Sequence, residues 1–149
     1  MAAKNAKDRV VFIEPDLSVS QLDYLATIHE VRQADGSAKS SDVARILGVT
    51  RSTVSTTLKS LQAAGLIDLV SYGPVRLTPR GETIAENVCA MREALAKLLT
   101  DVLGIDEEVA RKTARDFKGT AHPLIPEQLA LLQRFMQKNK KKWRKKIDD

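Results

Sequence analysis

The chain has 149 residues, of which 43% are hydrophobic and 29% are charged. This length allows one core, or a small domain with an appendage, and the apolar content excludes a disordered chain. A single cysteine, Cys89, excludes an intrachain disulfide and fits a reducing compartment. No stretch approaches the roughly twenty apolar residues of a membrane span. We therefore expect a cytoplasmic protein without a membrane partner, and not a multidomain enzyme.

The net charge of +5 and the pI near 9.4 are typical of nucleic-acid-binding proteins, but the charge is unevenly distributed. Residues 134–149 hold eight lysines and arginines and two aspartates, a net +6, so residues 1–133 carry −1. The basicity belongs to a C-terminal tail, 138–149, which is either a solvated helix end or a sequence-independent phosphate contact. DNA binding by the rest of the chain needs separate support.

The first predicted helix follows a short N-terminal arm. Residues 1–17 show no helical period and include Pro15, so we expect them to be mobile. Ser18 and Ser20 are both suitable N-caps, and Gly36 marks the end of the helix. The apolar positions recur every three residues along one face: Leu22, Leu25, Ile28 and Val31.

Two shorter helices are predicted next, one from Ser41 as N-cap to Gly48, the other from Thr50 as N-cap to Gly65. Their apolar positions predict the buried faces: Val43, Ile46 and Leu47 on the first, and Val54, Leu58 and Leu61 on the second. Two helices joined by a glycine-containing turn within about 25 residues have the layout of a helix-turn-helix.

The outward face of the second of these helices is rich in hydroxyl groups, which are short enough to let a helix approach the floor of a DNA groove. We predict DNA contacts from this face and from the preceding helix: Ser41, Thr50, Arg51, Ser52, Thr53, Thr56 and Lys59. Arg51 is the best candidate for a guanine contact. Alternatively, these side chains are simply solvated and the helix belongs to a protein-binding adaptor.

A β-hairpin is predicted after the helix-turn-helix. The β-prone runs 66–71 and 75–78 are joined by Tyr72-Gly73-Pro74. As a wing beside the same DNA backbone, this hairpin would bring Arg76 to phosphate groups, a contact independent of sequence. Residues 18–79 therefore predict a winged helix-turn-helix DNA-binding domain.

The remaining chain is predicted to be helical, which makes the fold class mainly α. The longest helix begins at Pro79, capped by Thr78, and ends before Gly104. A helix over 106–117, a loop over 118–126 and a last helix from Glu127 follow. We expect residues 80–137 to form a helical dimerisation domain.

Apolar residues of the longest helix repeat at spacings of four and three, as in a helix that packs along another helix: Ile84, Val88, Met91, Leu95, Leu98 and Val102. Such a seam fits either a homodimer or packing within one chain.

Four stretches, in this order, resemble the diphtheria-toxin-repressor family of metal-dependent transcriptional regulators, especially its shorter manganese-regulator branch: YLATIHEV, SSDVARILGVTRSTVSTTLKSLQAAGLIDL, VRLTPRGETIAENV and LLTDVLGID. The resemblance covers roughly residues 18–137, and the last stretch is its most specific mark. It implies a homodimer that binds a palindromic operator and controls genes of metal uptake. It also places Thr50, Ser52 and Thr56 at base-contacting positions, with Arg51 among them.

The resemblance further implies a regulatory Mn²⁺ or Fe²⁺ held by carboxylates and imidazoles on the first helix, the long helix and the helix after it. One of these positions retains a ligand, Asp23. The others fall on residues without a suitable donor: Ala26, Arg92, Ala96, Arg115, Lys118 and Gly119. Together with Arg111, the cations among them would repel a divalent ion if they converge. We therefore expect no metal at the family site and no cofactor, with Asp23 paired to Arg92 or Arg115 instead.

Two alternatives to a lost metal site stay open. In the first, the protein binds Mn²⁺ or Fe²⁺, as the family resemblance implies. In the second, Asp23, Cys89 and His122 form a different metal site, which requires an insertion in the loop after Lys118 to bring the histidine into position. In the simpler interpretation Cys89 is a small buried hydrophobe and His29 faces solvent or caps the first helix.

Other functional classes are less well supported. The stretch RLTPRGE also occurs in regulators of the multiple-antibiotic-resistance type, although these have a substantial helix before the winged domain. A winged-helix adaptor with a basic tail is the alternative outside gene regulation. The sequence has no Gly-rich phosphate loop and no dense His/Cys/Asp cluster, so we expect no enzyme activity.

Overall fold

The computed structural model describes residues 17–71, 73–116 and 124–142. These residues are mainly helical, as predicted. In chain order they form the following elements: α1 (Val19–Asp35), α2 (Ser40–Leu47), α3 (Arg51–Ala63), β1 (Ile67–Leu69), β2 (Val75–Leu77), α4 (Pro79–Lys97), a π-helical turn (Leu98–Val102), α5 (Glu107–Asp116) and α6 (Leu124–Lys138). The predicted arm, apart from Leu17, lies outside the described residues.

The chain divides into two compact units whose boundary lies within α4, between Val88 and Cys89. The described residues of the first unit, 17–88, comprise α1 to α3, the β-hairpin and the first half of α4. The second unit contains the rest of α4, the π-helical turn, α5 and α6. The sequence analysis placed a boundary earlier, at the start of α4.

A capping box starts α1. The Ser18 hydroxyl accepts the backbone N–H of Gln21 at 3.2 Å, and the Gln21 side-chain oxygen accepts the Ser18 N–H at 2.8 Å. Ser18 is therefore the N-cap, and the helix ends at Gly36, whose φ is 76°. All four predicted apolar residues are buried: Leu22, Leu25, Ile28 and Val31.

The prediction that Ser41 caps α2 is wrong. The N-cap is Lys39, whose backbone is extended and whose side chain makes no capping hydrogen bond, so Ser41 lies inside the helix with its side chain exposed. The predicted buried face is also shifted, because Val43 and Ala44 are buried whereas Ile46 is 48% exposed. Eight residues give fewer than three turns, too short a window to fix a helix face from apolar periodicity.

The β-hairpin is shorter than predicted, and its second strand pairs with a backbone segment that the sequence did not indicate. Its two strands are antiparallel, with Ile67 paired to Leu77 and Leu69 to Val75. On the other side of β2, the Val75 N–H donates to the Ala38 carbonyl at 2.8 Å, which forms an isolated bridge. Ala38 stands among polar residues, so no strand pattern marks it.

The first turn of α4 lies against the turn between α3 and β1. The Thr78 hydroxyl accepts the Gly81 N–H at 3.2 Å and donates to the Gly65 carbonyl at 2.9 Å. The Thr78 N–H donates to the Leu66 carbonyl at 3.0 Å. A Cβ atom at Gly81 would lie 2.0 Å from that carbonyl oxygen, so this contact requires glycine. The predicted start at Pro79, capped by Thr78, is confirmed.

The second unit differs from the prediction at two places. The last helix begins at Leu124 and not at Glu127, with Pro126 inside its first turn, where a missing N–H costs nothing. A π-helical turn extends α4 before the chain reaches Gly104, which has a φ of 71°. Residues 117–123 lie outside the described part. Among the described helices, none is both long and apolar enough to cross a membrane.

Replacing Gly81 by alanine should destabilise the first unit, because the added methyl group would overlap the Leu66 carbonyl and force the two segments apart. We expect Gly81→Ala to lower the free energy of unfolding by about 3 kcal/mol. Urea denaturation followed by circular dichroism measures this change. Ala90→Gly, at an exposed position of the same helix, is the control for helix propensity, with an expected loss of about 1 kcal/mol. A Gly81→Ala variant as stable as the wild type would contradict the contact.

Candidate nucleic-acid interface

The orientation of α3 is set by its buried side. Val54, Leu58 and Leu61 are almost completely buried, as the apolar spacing predicted. The helix starts after Gly48, which ends α2 with a φ of 65°, and its N-cap is Thr50. Because one face of α3 is fixed in the core, the opposite face points away from it.

The outward face carries all the α3 residues that were predicted to contact DNA. Each is exposed: Thr50, Arg51, Ser52, Thr53, Thr56 and Lys59. Ser55 is exposed on the same helix but was not among the predicted contacts. It lies three residues after Ser52 and four before Lys59, a spacing that places it beside them on the helix surface and is the signal that identifies it. Helical geometry thus brings these polar groups together on one surface.

The hydroxyl groups at the start of α3 are connected to each other. The Thr50 hydroxyl oxygen accepts the Thr53 N–H at 3.2 Å and lies 2.9 Å from the Ser52 hydroxyl and 2.8 Å from the Thr53 hydroxyl. One turn later, the Thr56 hydroxyl donates to the Ser52 carbonyl at 3.1 Å. These hydrogen bonds hold the side chains in a defined arrangement before any ligand binds.

A side-chain hydrogen bond connects α3 to α1, and it was not predicted from the sequence. The Gln21 side-chain amide donates to the Ser60 hydroxyl at 3.0 Å, and Gln21 also forms part of the capping box at Ser18. The C-terminal end of α3 is held as well, because the Arg80 guanidinium donates to the Ala64 carbonyl at 3.4 Å. Both contacts therefore anchor the C-terminal part of α3 within the first unit.

The two predicted contacts outside α3 are both exposed. Ser41 lies on α2, and Arg76 lies on β2 opposite Asp68 of β1. An acidic residue at the cross-strand position lowers the positive potential that Arg76 presents on the hairpin. Ser41 and Arg76 belong to the first unit, like α3.

An ion-pair cluster joins α1 to the first turn of α4. The same Glu82 carboxylate oxygen lies 2.7 Å from His29 Nδ1 and 2.5 Å from Arg32 Nη2. The His29 side chain is only 13% exposed, so the prediction that it faces solvent or caps the first helix is wrong. No local sequence pattern indicates this pairing, because the partners lie 53 and 50 positions apart.

Known proteins that are similar to this chain identify its family. Residues 16–75 match the family described as "Iron dependent repressor, N-terminal DNA binding domain". The transcriptional regulator MntR of Escherichia coli O6:H1 is 34% identical over 117 residues, which are 78% of this chain and 73% of that protein. The chain belongs to the diphtheria-toxin-repressor family of transcriptional regulators.

Two further relatives agree with this family assignment. The diphtheria toxin repressor of Corynebacterium diphtheriae is 31% identical over 83 residues, which are 56% of this chain and 37% of that protein. The crystal structure of T. acidophilum IdeR superposes with a TM-score of 0.63 and 26% identity. It matches 82% of this chain, which spans only 55% of the length of that structure. The winged helix-turn-helix and the expectation of a regulator without enzyme activity are confirmed.

Two of the three candidate metal ligands lie among the described residues. Asp23 lies on α1 and Cys89 on α4, while His122 lies outside the described residues. Within residues 17–71, 73–116 and 124–142, no three His, Cys, Asp or Glu side chains are grouped closely enough to hold a metal ion. The described residues therefore do not fit the ion that the family resemblance implied.

The cations expected at the family site have different surroundings. The Arg111 guanidinium lies 2.9 Å from a Glu107 oxygen and 3.4 Å from a Glu93 oxygen, and Lys97 lies 3.3 Å from Glu93. The hydrogen bond that Arg111 donates to Glu107, followed by the charge of Glu93, raises the pKa of Arg111 above its ordinary value. Two carboxylates thus offset the Arg111 charge, which the sequence analysis treated as purely repulsive.

The other three expected cations differ in exposure. Arg92 is half-buried, Arg115 is exposed on α5, and Lys118 lies outside the described residues. Ala26 and Ala96, where the family has metal ligands, are both buried. Small apolar side chains at these positions fill core space and provide no donor.

The seam residues of α4 and the π-helical turn are largely covered within the single chain. Ile84, Val88, Met91 and Val102 are buried, whereas Leu95 and Leu98 keep part of their surface. For the four buried residues the spacing reflects packing within the chain. Exposed apolar side chains of the second unit lie elsewhere: Leu103, Ile105, Val109, Ile125, Leu131, Leu132 and Phe135.

Removing the Glu82 carboxylate should destabilise the winged domain, because it would leave the half-buried His29 and Arg32 without their shared partner. We expect Glu82→Ala to lower the free energy of unfolding by about 2 kcal/mol. Glu86→Ala, at an exposed position one turn later on α4, is the matched control and should have little effect. Equal stabilities of the two variants in urea denaturation would show that the cluster contributes nothing.

Proposed function

We propose that this protein is a repressor that binds a palindromic operator as a homodimer, through the outward face of α3, and does so without a regulatory metal. The observation that carries the proposal is the exposed hydroxyl and cation face of α3, which is backed by three buried apolar residues and anchored at its C-terminal end. The proposed site of action is the cytoplasm, and the proposed partners are double-stranded DNA and a second copy of the chain.

The side chains of α3 divide into two kinds of contact in this proposal. Arg51 sits in the first turn, where a guanidinium reaches the floor of the major groove and donates two hydrogen bonds to guanine. Lys59 lies two turns later and contacts phosphate, as does Arg76 on the wing. The free N–H groups at the N-terminus of α3 add a further phosphate contact. Base contacts give specificity, and phosphate contacts give affinity.

A homodimer fits the exposed apolar surface of the second unit. Leu131, Leu132 and Phe135 are exposed within two turns of α6, an unusual concentration for a solvated helix. Burying this surface against a second copy would remove it from water and set two α3 helices on successive turns of DNA. Leu95 and Leu98, the partly exposed members of the predicted seam, are proposed as additional dimer contacts.

The charges of the second unit support the proposed metal independence. Arg111, one of the cations expected to repel a divalent ion, joins Glu93 of α4 to Glu107 of α5. A fixed guanidinium holds these two helices by charge-assisted hydrogen bonds, the same kind of link that a bridging cation provides. The pairing of Asp23 with Arg92 or Arg115, and the contribution of the basic tail, stay predictions.

The proposal is tested by selecting genomic fragments that bind the purified full chain, and then measuring affinities for the selected operator. Arg51→Ala should weaken operator binding about 10-fold to 100-fold and relax the base preference at one position of each half-site. Lys59→Ala should weaken binding to all sequences alike.

Lys112→Ala is the control, since it removes one exposed cation from α5 and should leave affinity unchanged. The proposed role of α3 fails if no fragment is enriched, or if Arg51→Ala binds the operator as tightly as Lys112→Ala does.

A further inference from the structure

Thr56 differs from the other hydroxyl residues of α3 in how its polar group is used. It is exposed in the second turn of the helix, and its hydroxyl donates its only hydrogen to the Ser52 carbonyl at 3.1 Å. Threonine commonly makes this bond within a helix, because the hydroxyl of one rotamer reaches the carbonyl four residues earlier. The hydroxyl is then left without a donor and keeps only acceptor capacity, while the γ-methyl group is exposed beside it.

Neighbouring hydroxyls provide the contrast. Thr50, Ser52 and Thr53 share one hydrogen-bonded cluster at the N-terminus of α3. The Ser55 hydroxyl is exposed and makes no hydrogen bond with any described residue. A polar contact to DNA from this turn of the helix is therefore most easily made by Ser55. A polar donor contact by Thr56 would first have to break a bond worth about 1 kcal/mol.

We propose that Thr56 contacts DNA through its γ-methyl group and selects a thymine by packing against the C5-methyl group of that base. In the major groove the thymine methyl is the one apolar feature among the edges of the four unmodified bases, and the methyl of threonine is a suitable partner for it. This inference rests on the proposed function, because it requires α3 to lie in the major groove. It assigns to Thr56 a specificity that depends on shape and burial of apolar surface.

Two substitutions separate the methyl from the hydroxyl. Thr56→Val keeps the methyl and removes the hydroxyl, whereas Thr56→Ser keeps the hydroxyl and removes the methyl. We expect Thr56→Val to bind the selected operator as the wild type does. We expect Thr56→Ser to bind about four-fold more weakly, the loss that corresponds to roughly 0.8 kcal/mol for one buried methyl group.

Replacing thymine by deoxyuridine, one position of the half-site at a time, removes the partner methyl from the DNA. At one position this change should weaken binding of the wild type and of Thr56→Val, and should have no additional effect on Thr56→Ser. Such non-additivity identifies direct contact between the two methyl groups.

Thr113 provides the matched control for the loss of the backbone hydrogen bond. It is exposed on α5, and its hydroxyl donates to the Val109 carbonyl at 2.8 Å, so Thr113→Val and Thr113→Ser make the same chemical changes away from α3. Both should leave operator affinity unchanged, and thermal unfolding checks that all four variants are folded.

The inference is overturned if Thr56→Ser keeps full affinity, if Thr56→Val loses it, or if no deoxyuridine position depends on Thr56. These results leave the proposed function intact as long as the wild type binds its operator. If the wild type enriches no DNA at all, the proposed function fails and the inference fails with it.

Discussion

Burial of Val54, Leu58 and Leu61 is the constraint on which the candidate interface depends. These three side chains occupy one face of α3 and are nearly inaccessible to water, so the helix cannot rotate without exposing them. The polar residues between them are consequently held on the outward face. The helix uses serine and threonine there although they are mediocre helix formers, and the Thr50 cap together with the anchors at Ser60 and Ala64 offsets that weakness.

The first turn of α4 holds the rest of the winged domain around α3. Gly81 allows the helix to touch the backbone at Leu66, and Thr78 is joined to the same turn by two hydrogen bonds, to the carbonyls of Gly65 and Leu66. One residue beyond Gly81, Glu82 reaches α1 through His29 and Arg32. A few consecutive residues thus connect α1, the end of α3 and the hairpin, whose second strand also pairs with Ala38. The exposed face of α3 is supported from several sides.

Most of the winged domain could be predicted from sequence because its signals are local. Apolar spacing located α1 and α3, and the caps at Ser18, Thr50 and Thr78 were recognisable from side-chain type. The cap of α2 could not be recognised, since Lys39 caps through backbone conformation alone. The cluster at Glu82 and the bridge at Ala38 join distant residues without a periodic pattern, and the π-helical turn leaves no compositional mark. The carboxylates that neutralise Arg111 were also missed: Glu93 is distant in sequence, whereas Glu107 lies only four residues before Arg111, at a spacing that could have identified it.

We propose that Arg111, which bridges Glu93 and Glu107, leaves the protein a DNA-binding regulator with no need of a metal ion. Isothermal titration calorimetry with Mn²⁺, Fe²⁺ and Zn²⁺, combined with operator affinity measured in chelator and in each metal, tests it most directly. We predict no metal binding at micromolar concentrations and the same operator affinity in every condition. Micromolar binding of any of these ions, accompanied by a change in operator affinity, would contradict the claim.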